Sequence, residues 1–144
     1  MKQGDDFFAI WGGIAGAQST LVALLTEGLR RGIAPEQLAP RLSQLLSDTP
    51  ARRFRLTRKG RIDVGYDADF TLVAWNGGRR HRLASSHLFQ RHPETRPYIG
   101  AEFCAEVTHT VLRGRTLFHR GEFDPAARGR FLKPEPPSMS ITGP

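Results

Sequence analysis

The period of the apolar residues changes near Lys59, and the change separates two kinds of structure. Upstream, Leu21, Leu24, Leu25 and Leu29 fall at i, i+3, i+4 and i+8, one face of a helix. They predict a helix over 17–31 that stops at Gly32. Leu38, Leu42, Leu45 and Leu46 predict a second helix over 35–46, with Pro35 at its first position. Pro40 would remove a backbone donor, so this helix could instead start there. A short third helix begins at Thr49-Pro50, with Asp48 or Thr49 as its cap. Downstream, the 3.6-residue period gives way to short runs between glycine turns. Phe70 to Trp75 reads as a strand, and Arg79 to Ala84 as a candidate second one. Residues 85–100 are irregular. Glu106–Leu112 and Arg115–Arg120 form two strands around a two-residue hairpin turn at Arg113-Gly114, with Gly121 closing the pair. Helices first and antiparallel strands after them make an α+β chain, not an alternating βαβ fold.

Charge raises a question of function. The formal net charge is +7 and the pI about 10.7. Clustered cations neutralise phosphates, which invites a nucleic-acid reading. The densest groups are Arg52, Arg53, Arg55, Arg58, Lys59 and Arg61, then Arg79, Arg80 and Arg82. Neither is interleaved with exposed-looking aromatic residues as a single-strand stacking platform is, and no zinc-finger or RNA-recognition spacing is present. A solvated basic surface is the plainer account. No run of apolar residues is long enough to cross a membrane, and the first residues do not read as a secretory signal. A single cysteine, Cys104, excludes an internal disulfide. A cytoplasmic location is the expectation.

The residues show no catalytic set. The histidines are His81, His87, His92, His109 and His119, and none forms His-x-His or His-x-x-x-His. They read as surface or hydrogen-bonding histidines. Cys104 has no adjacent base in sequence and reads as structural. Trp11-Gly12-Gly13-Ile14-Ala15-Gly16 is the most unusual segment: glycines let backbone groups approach a ligand, and they also simply make turns before helices.

Several strings carry a resemblance. Gly4-Asp5-Asp6-Phe7-Phe8-Ala9-Ile10-Trp11-Gly12-Gly13-Ile14-Ala15-Gly16-Ala17-Gln18 resembles the loop and helix start after the last barrel strand of allantoinases. Ser47-Asp48-Thr49-Pro50-Ala51-Arg52-Arg53-Phe54-Arg55-Leu56 is similar to the Ser-x-Asn-Pro-Ala-x-x-Phe-Gly-Leu segment of cyclic amidohydrolases. The run from Lys59-Gly60 through Asp67-Ala68-Asp69 to Val73 resembles the segment that returns the chain into their small β domain. Arg96-Pro97-Tyr98-Ile99-Gly100 is similar to the Ser-Pro-Tyr-x-Gly of allantoinases. Val111-Leu112-Arg113-Gly114-Arg115 resembles the final hairpin, and Arg128-Gly129-Arg130-Phe131-Leu132 the usual end. Thr49, Arg55 and Arg96 depart from the usual Asn, Gly and Ser.

The resemblance implies an α+β fragment: the terminal helices of a (β/α)8 metal-dependent hydrolase barrel, then strands of a small composite β-sandwich domain. Residues 1–56 would be the last barrel loop and helices, 57–124 the small β domain with its irregular segment at 85–100, and 125–144 a flexible tail. The intact family enzyme opens a cyclic amide such as allantoin, in purine catabolism, with two zinc ions bridged by a carboxylated Lys. Its catalytic and metal-binding residues would all lie before Met1, so none is carried onto this chain, which would be inactive and marginally stable alone. Gly12 and Gly13 fall where relatives contact the substrate ring through backbone groups. The implied partners are a small cyclic amide and either further copies of the chain or a missing barrel segment. The truncated gene product, the mis-assigned start and the split enzyme all stay open. So do a non-catalytic subunit completing a separate barrel chain and, third in order, a basic nucleic-acid binder.

Overall fold

The computed structural model describes residues 6, 13, 15–75, 80–89 and 97–136. Two compact units share the chain: Met1–Ala34 with Val73–Val107, and Pro35–Leu72 with Thr108–Pro144. The architecture is α+β. No helix among the described residues is long and apolar enough to cross a membrane.

In the first unit, helix α1 spans Thr20–Arg30. Thr20 Oγ1 donates to Gly16 O at 2.9 Å at its start, and Arg31 and Gly32 close its end through backbone N–H bonds. Its buried face differs from the expected leucine stripe. Val22, Leu25 and Gly28 are buried and Leu24 is 41% exposed, so the inward line is rotated by about one residue from the one the leucines suggested. The partner sets that line: short strands β2 (His81–Arg82) and β3 (Glu102–Phe103) pair antiparallel, and Phe103, Leu83 and Ala105 complete a small core. A 3₁₀ turn, Ser85–His87, lies between the two strands in sequence. The backbone around it is bracketed by the Gln18 amide, which donates to His87 O at 2.6 Å and accepts from Phe89 N at 3.0 Å. Cys104 is half-buried, and its N–H donates to Thr26 Oγ1 at 3.1 Å.

In the second unit the helical stretch runs unbroken from residue 35 to residue 53. It comprises α2 (Pro35–Ser43), a π-helical turn (Gln44–Asp48) and α3 (Thr49–Arg53). Pro40 lies inside α2 and does not end it. The wider π turn leads directly into Pro50, which has no N–H to give the preceding turn. Asp48 therefore continues the helix in right-handed conformation and makes no capping bond, contrary to the expected cap. The end of α3 closes with two crossed bonds: Leu56 N to Ala51 O at 2.8 Å and Arg55 N to Arg52 O at 3.1 Å. This is a Schellman ending, with Arg55 at φ 53° in the position that favours glycine.

Strand β1 (Phe70–Trp75) matches its sequence expectation in both bounds. With β4 (Ala105–Leu112), β5 (Arg115–His119) and β6 (Glu122–Phe123) it forms a sheet of order β1-β4-β5-β6. β1 and β4 each carry the chain from one unit into the other. Arg113 and Gly114 both take positive φ (49° and 78°), which is the twist a two-residue hairpin requires. Arg120 and Gly121 repeat the pattern (46° and 99°) and add β6, where the sequence predicts only a closing glycine. One irregularity sets the register. Leu112 opposes Arg115 and Val111 opposes Thr116, but Thr110 opposes Phe118 and His109 opposes His119. Leu117 is thus the extra residue of a β-bulge.

Candidate functional site

The loop with the expected ligand contacts is only partly within the described residues. Gly13 is exposed at φ +84°, and among the described residues a Cβ there would meet nothing within 4 Å. Gly12 lies outside the described residues. The positive φ of Gly13 is the left-handed conformation that glycine adopts without strain.

The Lys59–Val73 run folds into an electrostatic knot. Lys59 Nζ contacts Asp67 Oδ2 at 2.9 Å and also Asp69 Oδ2. Arg58 reaches the other Asp67 oxygen at 2.8 Å. Asp67 is 6% exposed and Lys59 16%, so both charges are largely covered. Burial pushes the Lys59 ammonium pKa down, but the hydrogen bonds to Asp69 and Asp67 outweigh it and hold it above the ordinary lysine value. The bond from Lys59 holds Asp67 below the ordinary carboxylate value against its own desolvation. The second Asp69 oxygen accepts from Arg113 N at 2.7 Å, and Ala68 O accepts from Gly114 N at 2.8 Å. The Asp-Ala-Asp segment therefore fastens the β4–β5 turn.

Asp48 ties the same loop to the helices, accepting from Arg61 at 2.7 Å and from Arg52 at 2.8 Å. Gly60 packs so closely on them that a Cβ would stand 2.7 Å from both Ala51 Cβ and Ser47 O. The densest basic group is therefore largely spent on internal pairs: Arg52, Arg58, Lys59 and Arg61 each hold a carboxylate. Beside the knot, a shallow cleft lies between residues 55–59 and the chain at 130–135. There Thr57 Oγ1 donates to Glu135 Oε1 at 2.6 Å and Glu135 N donates to Arg55 O at 3.2 Å, which holds the chain end as far as residue 135. Of the tail at 125–144, expected to be flexible, residues 137–144 lie outside the described residues.

The Pro-Tyr-x-Gly segment makes a turn at 97–100, with Gly100 at φ +82°. Gly100 N donates to Leu83 O at 2.9 Å, and the Tyr98 and Phe103 rings lie 6.4 Å apart. Arg96 and His92 lie outside the described residues. Among the described residues no three His, Cys, Asp or Glu side chains come together as a metal site. A two-zinc centre with a carboxylated lysine does not fit these residues, because Lys59, the covered lysine, is a paired ammonium.

The β4–β5 register does bring two histidines together. The His109 and His119 rings stack with centroids 4.4 Å apart. Their spacing of ten along the chain gave no ligand motif, because only the hairpin and its bulge make them neighbours.

The chain is 45% identical to an allantoinase of Solibacter usitatus over 144 residues, 99% of its own length. The chain resembles the allantoinases. An allantoinase of Rubrobacter xylanophilus is 47% identical over 94% of the chain, and one of Deinococcus radiodurans 45% identical over 93%. This allantoinase-like chain spans only 28–30% of the length of these curated relatives. No family model matches it. Among solved structures, an L-hydantoinase (dihydropyrimidinase) from Arthrobacter aurescens shares the fold over 82% of the chain and 25% of its own, with TM-score 0.67 and 24% identity. A D-hydantoinase from a Bacillus sp. is similar at TM-score 0.62 and 27% identity, over 83% of the chain and 25% of its own.

Proposed function

We propose that this chain is the C-terminal portion of an allantoinase-like hydrolase that opens a cyclic amide ring, allantoin to allantoate, and that it has no activity alone. The observation that carries the reading is 45% identity along 99% of the chain against 30% of a relative named allantoinase. The assignment of 1–56 to the last barrel loop and helices, 57–124 to the small composite β domain and 125–144 to the tail is part of the same proposal. So is a backbone contact of Gly12 and Gly13 with the substrate ring. The zinc ions and the carboxylated lysine would come from the rest of the enzyme. What this chain's residues supply is fixed geometry: the Lys59–Asp67–Asp69 knot and the Gly60 contact hold the β segment against the helical stretch.

The test is allantoin ring opening by the chain alone and by the chain fused behind the preceding part of the Rubrobacter allantoinase. Turnover by the fusion only is the expected result. Turnover by the isolated chain, or none by a folded, metal-loaded fusion, overturns the proposal. A subunit that completes a separate barrel chain is the second reading, supported by the same 30% coverage. It predicts that the two parts restore activity when mixed as separate chains. A nucleic-acid binder ranks behind both, because so much of the basic cluster is engaged with Asp48, Asp67 and Asp69.

A further inference from the structure

Three strands of the second unit place polar donors in one row. His109 on β4 opposes His119 on β5, and His119 opposes Glu122 on β6. Directly opposed residues project from the same face of a sheet, so these three share a face. Phe118, one residue before His119, projects to the other face, where it meets Phe123 with ring centroids 5.0 Å apart.

The pairing of the imidazoles follows from the bulge. Continuing the turn's own register from Leu112–Arg115 would place His109 opposite Phe118. The extra residue, Leu117, moves the ladder by one and places His119 there instead. Arg120 N donates directly across to Thr108 O at 3.0 Å. The next pair, His109–His119, is therefore a non-hydrogen-bonded pair, the kind in which opposed side chains come closest. Their centroids lie 4.4 Å apart with the rings 24° from parallel.

His109 is also oriented. Its Nδ1 lies 3.1 Å from Thr108 Oγ1. Engaging one ring nitrogen with an oxygen leaves the other to bind an ion, and such partners fix the ring of a metal-binding histidine. His109 is half-buried and His119 exposed, so an ion reaches the pair from solvent.

We propose that His109 and His119 form a two-imidazole chelate for a borderline divalent transition-metal ion of the zinc, nickel or copper class. Imidazole nitrogen suits these ions; the in-plane lone pairs of stacked rings run side by side, so the exposed His119 ring turns about its side-chain bonds to meet the ion that His109 holds. Since no third protein donor converges on the pair among the described residues, water completes the coordination.

Zinc chloride titrated into the full chain tests this by calorimetry and by NMR of the histidine ring protons. The expected result is one ion per chain, with the His109 and His119 resonances shifting together. His119→Gln and His109→Gln should each weaken binding by at least about ten-fold. His119 is exposed, so its variant keeps the fold and decides the matter even if His109→Gln unfolds. Thr108→Val should weaken zinc by a smaller factor while both rings remain. Unchanged affinity in His119→Gln, shifts confined to the other histidines, or no binding at millimolar zinc each overturn the proposal.

Discussion

Lys59 Nζ stands 2.9 Å from Asp67 Oδ2 while the same ammonium also meets Asp69, so one lysine holds both carboxylates of the Asp-Ala-Asp segment. Replacing Lys59 with Met leaves those carboxylates facing each other with Arg58 as the remaining cation on Asp67. The expected result is a melting temperature lower by roughly 5 °C, checked by circular dichroism. A change within about 1 °C would mean that the pair contributes nothing net.

Arg55 occupies the left-handed residue of the Schellman ending of α3, at φ 53°. A residue with a Cβ is strained there by about 1–2 kcal/mol, and glycine is not. Arg55→Gly should therefore stabilise the chain by roughly 0.5–1 kcal/mol after the extra freedom of glycine in the unfolded chain is counted. Denaturant midpoints measure this, and a loss of stability would show that the Arg55 side chain outweighs the backbone term.

Gly60→Ala tests the opposite case. At φ +87°, with Ala51 Cβ and Ser47 O each 2.7 Å from the added methyl, both backbone strain and overlap oppose the change. A destabilisation of about 2–4 kcal/mol is expected, enough to lower the yield of folded protein. Gly65→Ala is the control: its φ of +88° is similar, with nothing within 4 Å of the methyl, so it should cost only the backbone part.

Acid should destabilise the chain. Hydrogen bonds from Arg30 and Arg31 hold Glu27 down to about 2 from an ordinary 4.5. Arg61 lowers Asp48, Lys59 lowers Asp67, and the Ala126 N–H with Arg115 lowers Asp124. Each carboxylate binds protons more weakly folded than unfolded. Its contribution is full above the ordinary value and is lost as pH falls through the folded one. Melting temperature should be level between about pH 7 and pH 5 and fall steadily below that, with a smaller fall near 1 M salt. A melting temperature that stays level down to about pH 3 would refute the linkage.

Local signals in the sequence carried much of this fold. Phe70–Trp75 was legible because an apolar β-rich run ends at turn residues, and the Arg113-Gly114 hairpin because the turn demands positive φ. The second hairpin carries the same Arg-Gly pair, but β6 is only two residues long and shows no alternation. The unbroken helical stretch was missed because Pro40 and Pro50 are breakers in isolation, and the π turn that precedes Pro50 has no composition of its own. The inward line of α1 depends on Phe103, more than seventy residues away, so the leucines alone misplaced it. Of the site, the Gly13 geometry was legible as a glycine turn, whereas the histidine pair depends on a single extra residue in a neighbouring strand.

The bulge at Leu117 means that the strand between the two Arg-Gly turns already carries one residue more than its pairing with β4 needs. β5 has no room for another, because each of its ends is set by a turn of only two residues. Inserting one more residue before Phe118 would exchange the two faces of the strand beyond it, presenting Phe118 where His119 stands, whereas deleting Leu117 would remove the bulge and keep His119 opposite His109. Replacement of a side chain leaves that phase untouched. The segment from Arg115 to His119 should therefore accept many single substitutions and the loss of Leu117 but reject insertions, so peptide tags and new chain termini belong elsewhere.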